Sequence, residues 1–201
     1  MIRLAREEDA TAIHAIYAPC VSAGTATFET VPPGIDTMRE RIHSRLQHYP
    51  WLVWEEAGEL LAYAYAGRFR ERAAYDWITE TSIYVHAEAR RRGIARQLYG
   101  VLLDVMRLQG ITQAVGVITL PGIVSVALHE TMDFRAAGVW RQCGYKLGQW
   151  WDVGVWQKQL QQATNPPEPV TSFPELPPAA LRSLLEHFAH PPPAAQDEHG
   201  G

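Results

Sequence analysis

The stretch that decides the fold is Ile83-Tyr84-Val85-His86-Ala87-Glu88-Ala89-Arg90-Arg91-Arg92-Gly93-Ile94-Ala95-Arg96. Its β-branched and aromatic beginning is typical of a strand, and its end leads into an amphipathic segment, residues 93–108, typical of a helix. Unpaired N–H groups at a helix start attract anions, and the helix dipole adds to that attraction. The stretch therefore predicts a strand, turn and helix that bind an anionic ligand. From the arginine run alone, a solvated basic turn is an equally good interpretation.

The segments on either side predict further strands and helices. Strands are predicted at residues 2–5, 51–55, 59–67, 77–85, 113–119, 134–140 and 150–159, with 25–30 extended. Helices are predicted at 8–18, 36–49 (capped by Asp36), 93–108 and 125–131. Since the two kinds of element do not alternate strictly, we expect an α/β fold with a mixed, mostly antiparallel central sheet flanked by helices.

The composition changes near the C-terminus. Nine of the 14 prolines fall between Asn165 and Pro193. This change in composition predicts one folded domain over residues 1–161 and a proline-rich tail over 162–201. Inside the tail, Leu181, Leu184, Leu185 and Phe188 follow helical spacing, which predicts a short helix at 179–190.

Charge and composition exclude several classes of function. A net charge of −4 argues against nucleic-acid binding, and no apolar run suggests a membrane span or a signal peptide. The two cysteines, Cys20 and Cys143, have neither disulfide nor metal-ligand spacing. We therefore expect a cytoplasmic protein without a metal site.

Two motifs resemble those of the GNAT superfamily of N-acetyltransferases. Arg90-x-x-Gly93-x-Ala95 is similar to its coenzyme A signature, [RQ]-x-x-G-x-[GA]. Downstream, Ser125-Val126-Ala127-Leu128-His129-Glu130 is similar to its S-x-x-L-Y-E helix, with histidine where tyrosine is usual. Asp133 replaces the glycine that normally precedes Phe134.

Four longer runs resemble the phosphinothricin N-acetyltransferases within that superfamily: residues 49–53, 63–67, 72–77 and 144–154. The similarity runs in order from about residue 2 to 157. It implies transfer of the acetyl group of acetyl-CoA to the α-amine of phosphinothricin, methionine sulfoximine or methionine sulfone. It also implies a homodimer. Because no cysteine sits at a matched nucleophile position, we expect direct attack in a ternary complex.

The resemblance also assigns two catalytic residues. A protonated amine must lose a proton before its nitrogen attacks the thioester, and Glu80 matches the family's acidic residue for that step. His129 matches the second catalytic residue, which protonates the departing thiolate or assists deprotonation. Without the resemblance, Glu80 would be read as a solvent-facing strand residue and His129 as a surface or core histidine.

The same resemblance assigns the binding residues. Those for acetyl-CoA are Ile83, Tyr84, Val85, Arg91, Arg92, Gly93, Ile94, Ala95 and Arg96. Those for the acceptor are Phe28, Arg70, Arg72, Tyr75 and Val153, among which the guanidinium groups suit oxyanions.

Some positions depart from the family pattern. Arg70 replaces a lysine, Thr119 a glycine and Gly122 an asparagine, so the acceptor's side chain stays open. A surface loop in which Arg70 and Arg72 pair with Glu71 is the alternative to a binding role. Two other functions also stay open: an acetyltransferase for a different amine, such as a polyamine or a protein N-terminus, and a catalytically silent acyl-CoA-binding module.

Overall fold

The structure is a computed structural model that describes residues 1–189. The strands are β1 (Ile2–Leu4), β2 (Trp51–Glu56), β3 (Glu59–Arg68), β4 (Ile78–Val85), β5 (Gln113–Thr119), β6 (Arg135–Lys146) and β7 (Gln149–Gln159). The α-helices are α1 (Ala10–Ala23), α2 (Ile35–Leu46), α3 (Ile94–Leu108), α4 (Ile123–Thr131) and α5 (Pro178–Ala189). The strands form one sheet in the order β1-β2-β3-β4-β5-β7-β6. Every neighbouring pair is antiparallel except β4–β5, which confirms the predicted α/β fold.

The two faces of the sheet carry different side chains, as the alternation of β3 shows. Tyr63 packs in a core that contains residues of α1 and α2. Ala62, Ala64 and Ala66 point the other way, into a larger core built around α3. Small alanine side chains let the helix lie close to the sheet, whereas the tyrosines fill a wider space on the opposite face.

Helix α1 is longer than predicted. The prediction ends it at residue 18, but the helix runs on to Ala23 although Pro19 cannot donate a helical hydrogen bond. Val21, beyond the proline, is only 1% exposed, and its burial offsets the lost bond.

Other predicted boundaries also differ from the structure. The helix predicted at 36–49 ends at Leu46, and the one predicted at 125–131 begins at Ile123. Gly34, not Asp36, caps α2, since its carbonyl accepts from the Met38 N–H at 3.0 Å. Residues 25–30 form bends and no strand. Strand β6 extends to Lys146 because its end pairs with the start of β7 across a tight turn at Leu147 and Gly148.

The segment after β7 packs against the sheet. Phe173 and Leu176 are buried in the α3 core, and the Thr171 N–H donates to the Gln109 carbonyl at 2.8 Å. Helix α5 covers the predicted helix as far as Ala189, and His190 lies outside the described residues. None of the helices within residues 1–189 has both the length and the apolar character needed to cross a bilayer.

Candidate active site

Strands β4 and β5 separate part-way along their length. They pair only over residues 78–80 and 113–115, although β4 stays paired with β3 as far as Val85 and β5 with β7 as far as Thr119. A cavity of about 350 Å³ occupies the gap, which we call the β4–β5 cleft. Its walls come from the far halves of β4 and β5 and from the start of α4: residues 81–84, 117–119, 121–125 and His129, with 25 and 26.

The edge of β4 that faces the cleft has lost its β5 partner from Thr81 to Val85. Backbone N–H and C=O groups on such an edge are free to pair with an extended ligand that carries amide groups. The three acetyl-CoA candidates on β4, Ile83, Tyr84 and Val85, therefore lie along this edge, and Ile83 and Tyr84 line the cavity.

Helix α3 begins just after the end of β4. Gly93 caps it with a left-handed φ of 78°, and a side chain there would meet only the Gln97 amide, at 3.8 Å. The first N–H groups of a helix have no acceptor within it, and here Arg91 and Arg96 are exposed around them. Arg92, in contrast, pairs with Glu56 at 2.7 Å. The open backbone and the neighbouring charge fit a phosphate-bearing ligand.

His129 of α4 lies on the α3 side of the cleft, where it is only 5% exposed. Its Nδ1 is 2.7 Å from the Ser125 carbonyl oxygen and its Nε2 is 3.0 Å from the Tyr99 hydroxyl. Because a carbonyl only accepts, Nδ1 carries a proton, and the neutral ring accepts from Tyr99 at Nε2. Burial lowers the pKa of His129, and the bond to Ser125 opposes that shift.

Tyr99 connects His129 to the point where the strands separate. Its hydroxyl lies 2.5 Å from Thr81 Oγ1, which lies 3.1 Å from the Val115 carbonyl oxygen. If His129 takes up a proton, Nε2 donates to Tyr99, Tyr99 to Thr81, and Thr81 to Val115. With a neutral ring, Tyr99 donates to Nε2 and the single Thr81 proton goes to Tyr99 instead of Val115. Each side chain of the chain from His129 to Thr81 therefore has a hydrogen-bond partner in both protonation states of the imidazole.

Gly116 provides the room for the imidazole. A Cβ on this β5 residue would overlap His129 Nε2 and lie 2.5 Å from its Cδ2. Glycine at this position is therefore required by the buried ring above it.

Glu80 lies on the other face of the sheet, at the last β4 residue paired with β5. The register pairs it with Gly67, Ser82 with Tyr65, and Tyr84 with Tyr63, so all three β4 side chains face α1 and α2. Burial raises the pKa of the Glu80 carboxyl, and the positive charge of Arg45 opposes that shift. Glu80 is not among the residues that line the cleft, but it lies directly before Thr81, where the two strands separate. A carboxylate with a raised pKa at that point is suited to accept a proton.

Tyr84 forms part of an aromatic wall next to the cleft. Its ring stacks on Tyr63 with centroids 5.1 Å apart and meets Tyr17 edge-on at 5.2 Å. Burial raises the pKa of Tyr84 well above its usual value, so its hydroxyl stays protonated.

The predicted acceptor residues do not gather in one place in the structure. Arg70, Arg72 and Tyr75 are exposed on the loop between β3 and β4, where Arg70 lies 5.0 Å over the Phe69 ring. Phe28 fills the space above Gly144, and Val153 is buried on β7 opposite Thr119. The cleft residues 81–84 and 117–125 do not include any of these five.

The sequence matches the acetyltransferase (GNAT) domain family over residues 2–155. The chain belongs to this family.

Within the GNAT family, the curated relatives carry more specific names. The phosphinothricin N-acetyltransferase of Streptomyces viridochromogenes is 38% identical over 169 residues, covering 84% of this chain and 92% of the relative. The L-methionine sulfoximine/L-methionine sulfone acetyltransferase of Pseudomonas aeruginosa is 32% identical over 83% of this chain and 98% of the relative. The predicted resemblance is therefore confirmed.

Solved structures of the GNAT family share the fold. A phosphinothricin acetyltransferase from Sinorhizobium meliloti, solved in complex with acetyl-CoA, superposes with a TM-score of 0.79 and 33% identity. The match covers 86% of this chain and 97% of the other.

Sequence reasoning missed Tyr99, Thr81, Gly116 and Arg45. Tyr99 lies on the apolar face of α3, where an aromatic residue is usually taken for core packing. Gly116 in the middle of a strand was a usable signal, since a strand glycine often marks a close approach by another group.

We predict that Gly116→Ala displaces the His129 ring. The added methyl group overlaps the imidazole, so we expect a loss of about 1–3 kcal/mol in the free energy of unfolding and about a 10²-fold lower kcat for acetyl transfer. Denaturant unfolding and a thiol-release assay measure the two effects. Gly138→Ala is the matched control, because a Cβ on that β6 glycine meets nothing within 4 Å. Equal turnover in the two variants would contradict the prediction.

Proposed function

We propose that this GNAT protein transfers the acetyl group of acetyl-CoA to the α-amine of phosphinothricin, methionine sulfoximine or methionine sulfone. The observation that carries the proposal is the β4–β5 cleft, with His129 on one side of the sheet and Glu80 on the other. The names of the relatives support the acceptor class. A transferase must bring two substrates together. An opening through the sheet lets each substrate approach the reaction centre from a different face of the sheet.

We place acetyl-CoA along the free edge of β4. The amides of its pantetheine arm extend the ladder at Ile83, Tyr84 and Val85. Its pyrophosphate lies at the start of α3, over the backbone of Gly93, Ile94 and Ala95. Arg91 and Arg96 add charge there, and Arg92 takes part once it exchanges Glu56 for phosphate.

In the proposed reaction, Glu80 accepts a proton from the acceptor's ammonium group, directly or through water. The free amine then attacks the thioester carbonyl carbon and a C–N bond forms. The tetrahedral intermediate collapses as the C–S bond breaks and the electron pair leaves on sulfur. The amide nitrogen then loses its extra proton and the thiolate gains one. We assign one of these two proton transfers to His129, which is hydrogen-bonded to Tyr99.

The two cysteines support direct transfer over a covalent acetyl-enzyme. Cys20 is half-buried at the end of α1, where burial raises the pKa of its thiol, and Cys143 is exposed on β6. Neither belongs to the residues that line the cleft. Both are free thiols, which fits the proposed cytoplasmic location.

A homodimer is also part of the proposal. The edge strand β6, the turn after it and the start of β7 expose large apolar side chains: Val139, Trp140, Tyr145, Leu147 and Trp150. An exposed apolar edge of this kind favours contact with another chain. In such a dimer, the exposed loop with Arg70, Arg72 and Tyr75 would contribute to the acceptor site of the second subunit.

A thiol-release assay with a panel of amines tests the proposed function. We expect turnover with L-phosphinothricin and L-methionine sulfone, and little with spermidine or a peptide N-terminus, because guanidinium groups repel a polyamine and the cleft is small. Faster turnover of a polyamine or peptide would favour a different acceptor. Tight acetyl-CoA binding without turnover of any amine would favour a silent binding module.

We predict that Gly93→Val weakens acetyl-CoA binding. Valine is strained at a left-handed φ and blocks close approach to the backbone. Gly58→Val is the matched control, since Gly58 has a similar φ of 81° and equally open surroundings in the β2–β3 turn. Calorimetry should show weaker acetyl-CoA binding for Gly93→Val alone. Equal affinity in both variants would remove Gly93 from the binding site.

We predict that Glu80→Gln lowers kcat about 10²–10⁴-fold near neutral pH, the usual share of general-base catalysis. A base acts only when deprotonated, so wild-type activity should fall as the pH drops through the raised pKa of Glu80. The pH–rate profile of the variant should not show this fall at low pH. Its activity should recover at high pH, where the amine deprotonates without a base. Glu59→Gln, on the exposed β2–β3 hairpin, is the control. Near-wild-type turnover of Glu80→Gln would exclude Glu80 as the base.

A further inference from the structure

Arg45, in the last turn of α2, is held in a defined position beneath that helix. Met38 and Ile42 anchor the helix in the core, which turns Arg45 towards the sheet. Its guanidinium carbon lies 5.0 Å from the centroid of the Tyr65 ring. The guanidinium also rests against Gly67, where any Cβ would overlap Nη1. Strand β3 therefore provides both a ring to stack on and a gap to fill.

The charge of Arg45 has no carboxylate partner within residues 1–189. The ion pairs of that part of the chain do not include it. Arg41, one turn earlier, shows the contrast, since it binds both carboxylate oxygens of Glu29 at 2.7 and 3.3 Å. A positioned guanidinium with free donors is prepared to bind an anion that the protein itself does not supply.

Space for such a ligand lies on both sides of the Arg45 side chain. A cavity of about 190 Å³ between α1, α2 and strands β2 and β3 is lined by Arg45, Arg41 and Trp51. The Trp51 indole N–H is buried without a hydrogen-bond partner among the described residues. On its other side, Arg45 borders an open groove whose far wall is the tail segment near Val170.

Arg45 also lies one strand away from the proposed base. The Gly67 against which it rests is the β3 partner of Glu80, and neighbouring strands lie about 4.8 Å apart. Both side chains are on the α1–α2 face. The effect of the Arg45 charge on the pKa of Glu80 agrees with this proximity.

We propose that Arg45 binds the α-carboxylate of the amino-acid acceptor while Glu80 takes the proton of its α-amine. The inference rests on the proposed function and identifies the part of the acceptor that this face recognises. The amine and the carboxylate of an amino acid are bonded to the same carbon, so their two partners must lie close together, as Arg45 and Glu80 do. The exposed Arg70 and Arg72 remain available for the distal group of the acceptor, such as the phosphinate of phosphinothricin.

The test compares two acceptors that differ only in the carboxylate. L-Methionine sulfone carries it, and 3-(methylsulfonyl)propan-1-amine lacks it. For Arg45→Gln in the full chain, we expect kcat/KM to fall about 10- to 100-fold with the amino acid, the range for charge-assisted hydrogen bonds. It should stay nearly unchanged with the amine. Arg45→Lys keeps the charge but loses the paired donors, so we expect an intermediate loss.

The ratio between the two acceptors separates recognition from a change in the base. Altered ionisation of Glu80 would affect both acceptors alike, so an equal loss with both would overturn the proposal. An unchanged kcat/KM with both would also overturn it. Arg39→Gln is the matched control, because Arg39 lies on the exposed side of the same helix. Arg45→Lys keeps the test valid if Arg45→Gln does not fold.

A binding measurement distinguishes failure of the inference from failure of the proposed function. Calorimetry with L-methionine sulfone in the presence of coenzyme A reports on recognition without turnover. Weaker binding to Arg45→Gln than to Arg39→Gln supports the role of Arg45 whether or not acetyl transfer occurs. Equal binding to both overturns it. A wild-type protein that binds but does not acetylate would refute the proposed function alone, and one that does not bind would refute both.

Discussion

The site depends on the short length over which β4 and β5 stay together. Three residue pairs hold the two strands in parallel, and beyond them each strand is kept by its other neighbour, β3 or β7. Hydrogen bonds that a continuous sheet would make between β4 and β5 are thus left available on one edge. The sheet remains intact because its antiparallel pairs on both sides are long, so the opening costs only a few central bonds.

That opening lets two kinds of environment meet at one point. The α3 side is closed and carries the buried His129–Tyr99–Thr81 chain, in which each side chain has a partner. The α1–α2 side is aromatic and charged, with Glu80 and Arg45 near Tyr65. Burial acts on both sides, but in opposite senses. It lowers the pKa of His129, which favours the neutral imidazole near neutral pH. It raises the pKa of Glu80, which brings that carboxyl closer to the range in which a general base is efficient.

The C-terminal segment stabilises this arrangement from outside the matched family domain, which ends at Val155. Phe173 and Leu176 add to the core around α3. The Gln109 amide bridges the carbonyls of His48 and Thr171, at 2.9 and 3.0 Å. Trp77, next to the start of β4, donates to the Glu168 carbonyl at 2.7 Å. The segment therefore ties the end of α2 to the beginning of β4, and Arg45 and Glu80 lie on these two elements.

The sequence by itself determined the elements whose signals are local. The strand predicted at residues 113–119 has the bounds of β5. The strands predicted at 51–55 and 59–67 each differ from β2 and β3 by one residue. The run around Gly93 specified a strand, a turn and a helix. Only the tertiary structure decided the features that depend on contacts between distant residues. These are the continuation of α1 beyond Pro19, the hydrogen bond between Tyr99 and His129, the glycine next to the His129 ring, and the position of Arg45 near Glu80. The hydrophobic periodicity of a segment predicts which face of the element a side chain occupies, but it does not predict which residues pack against that face. Those packing partners are set by strand order and register, not by the neighbouring sequence.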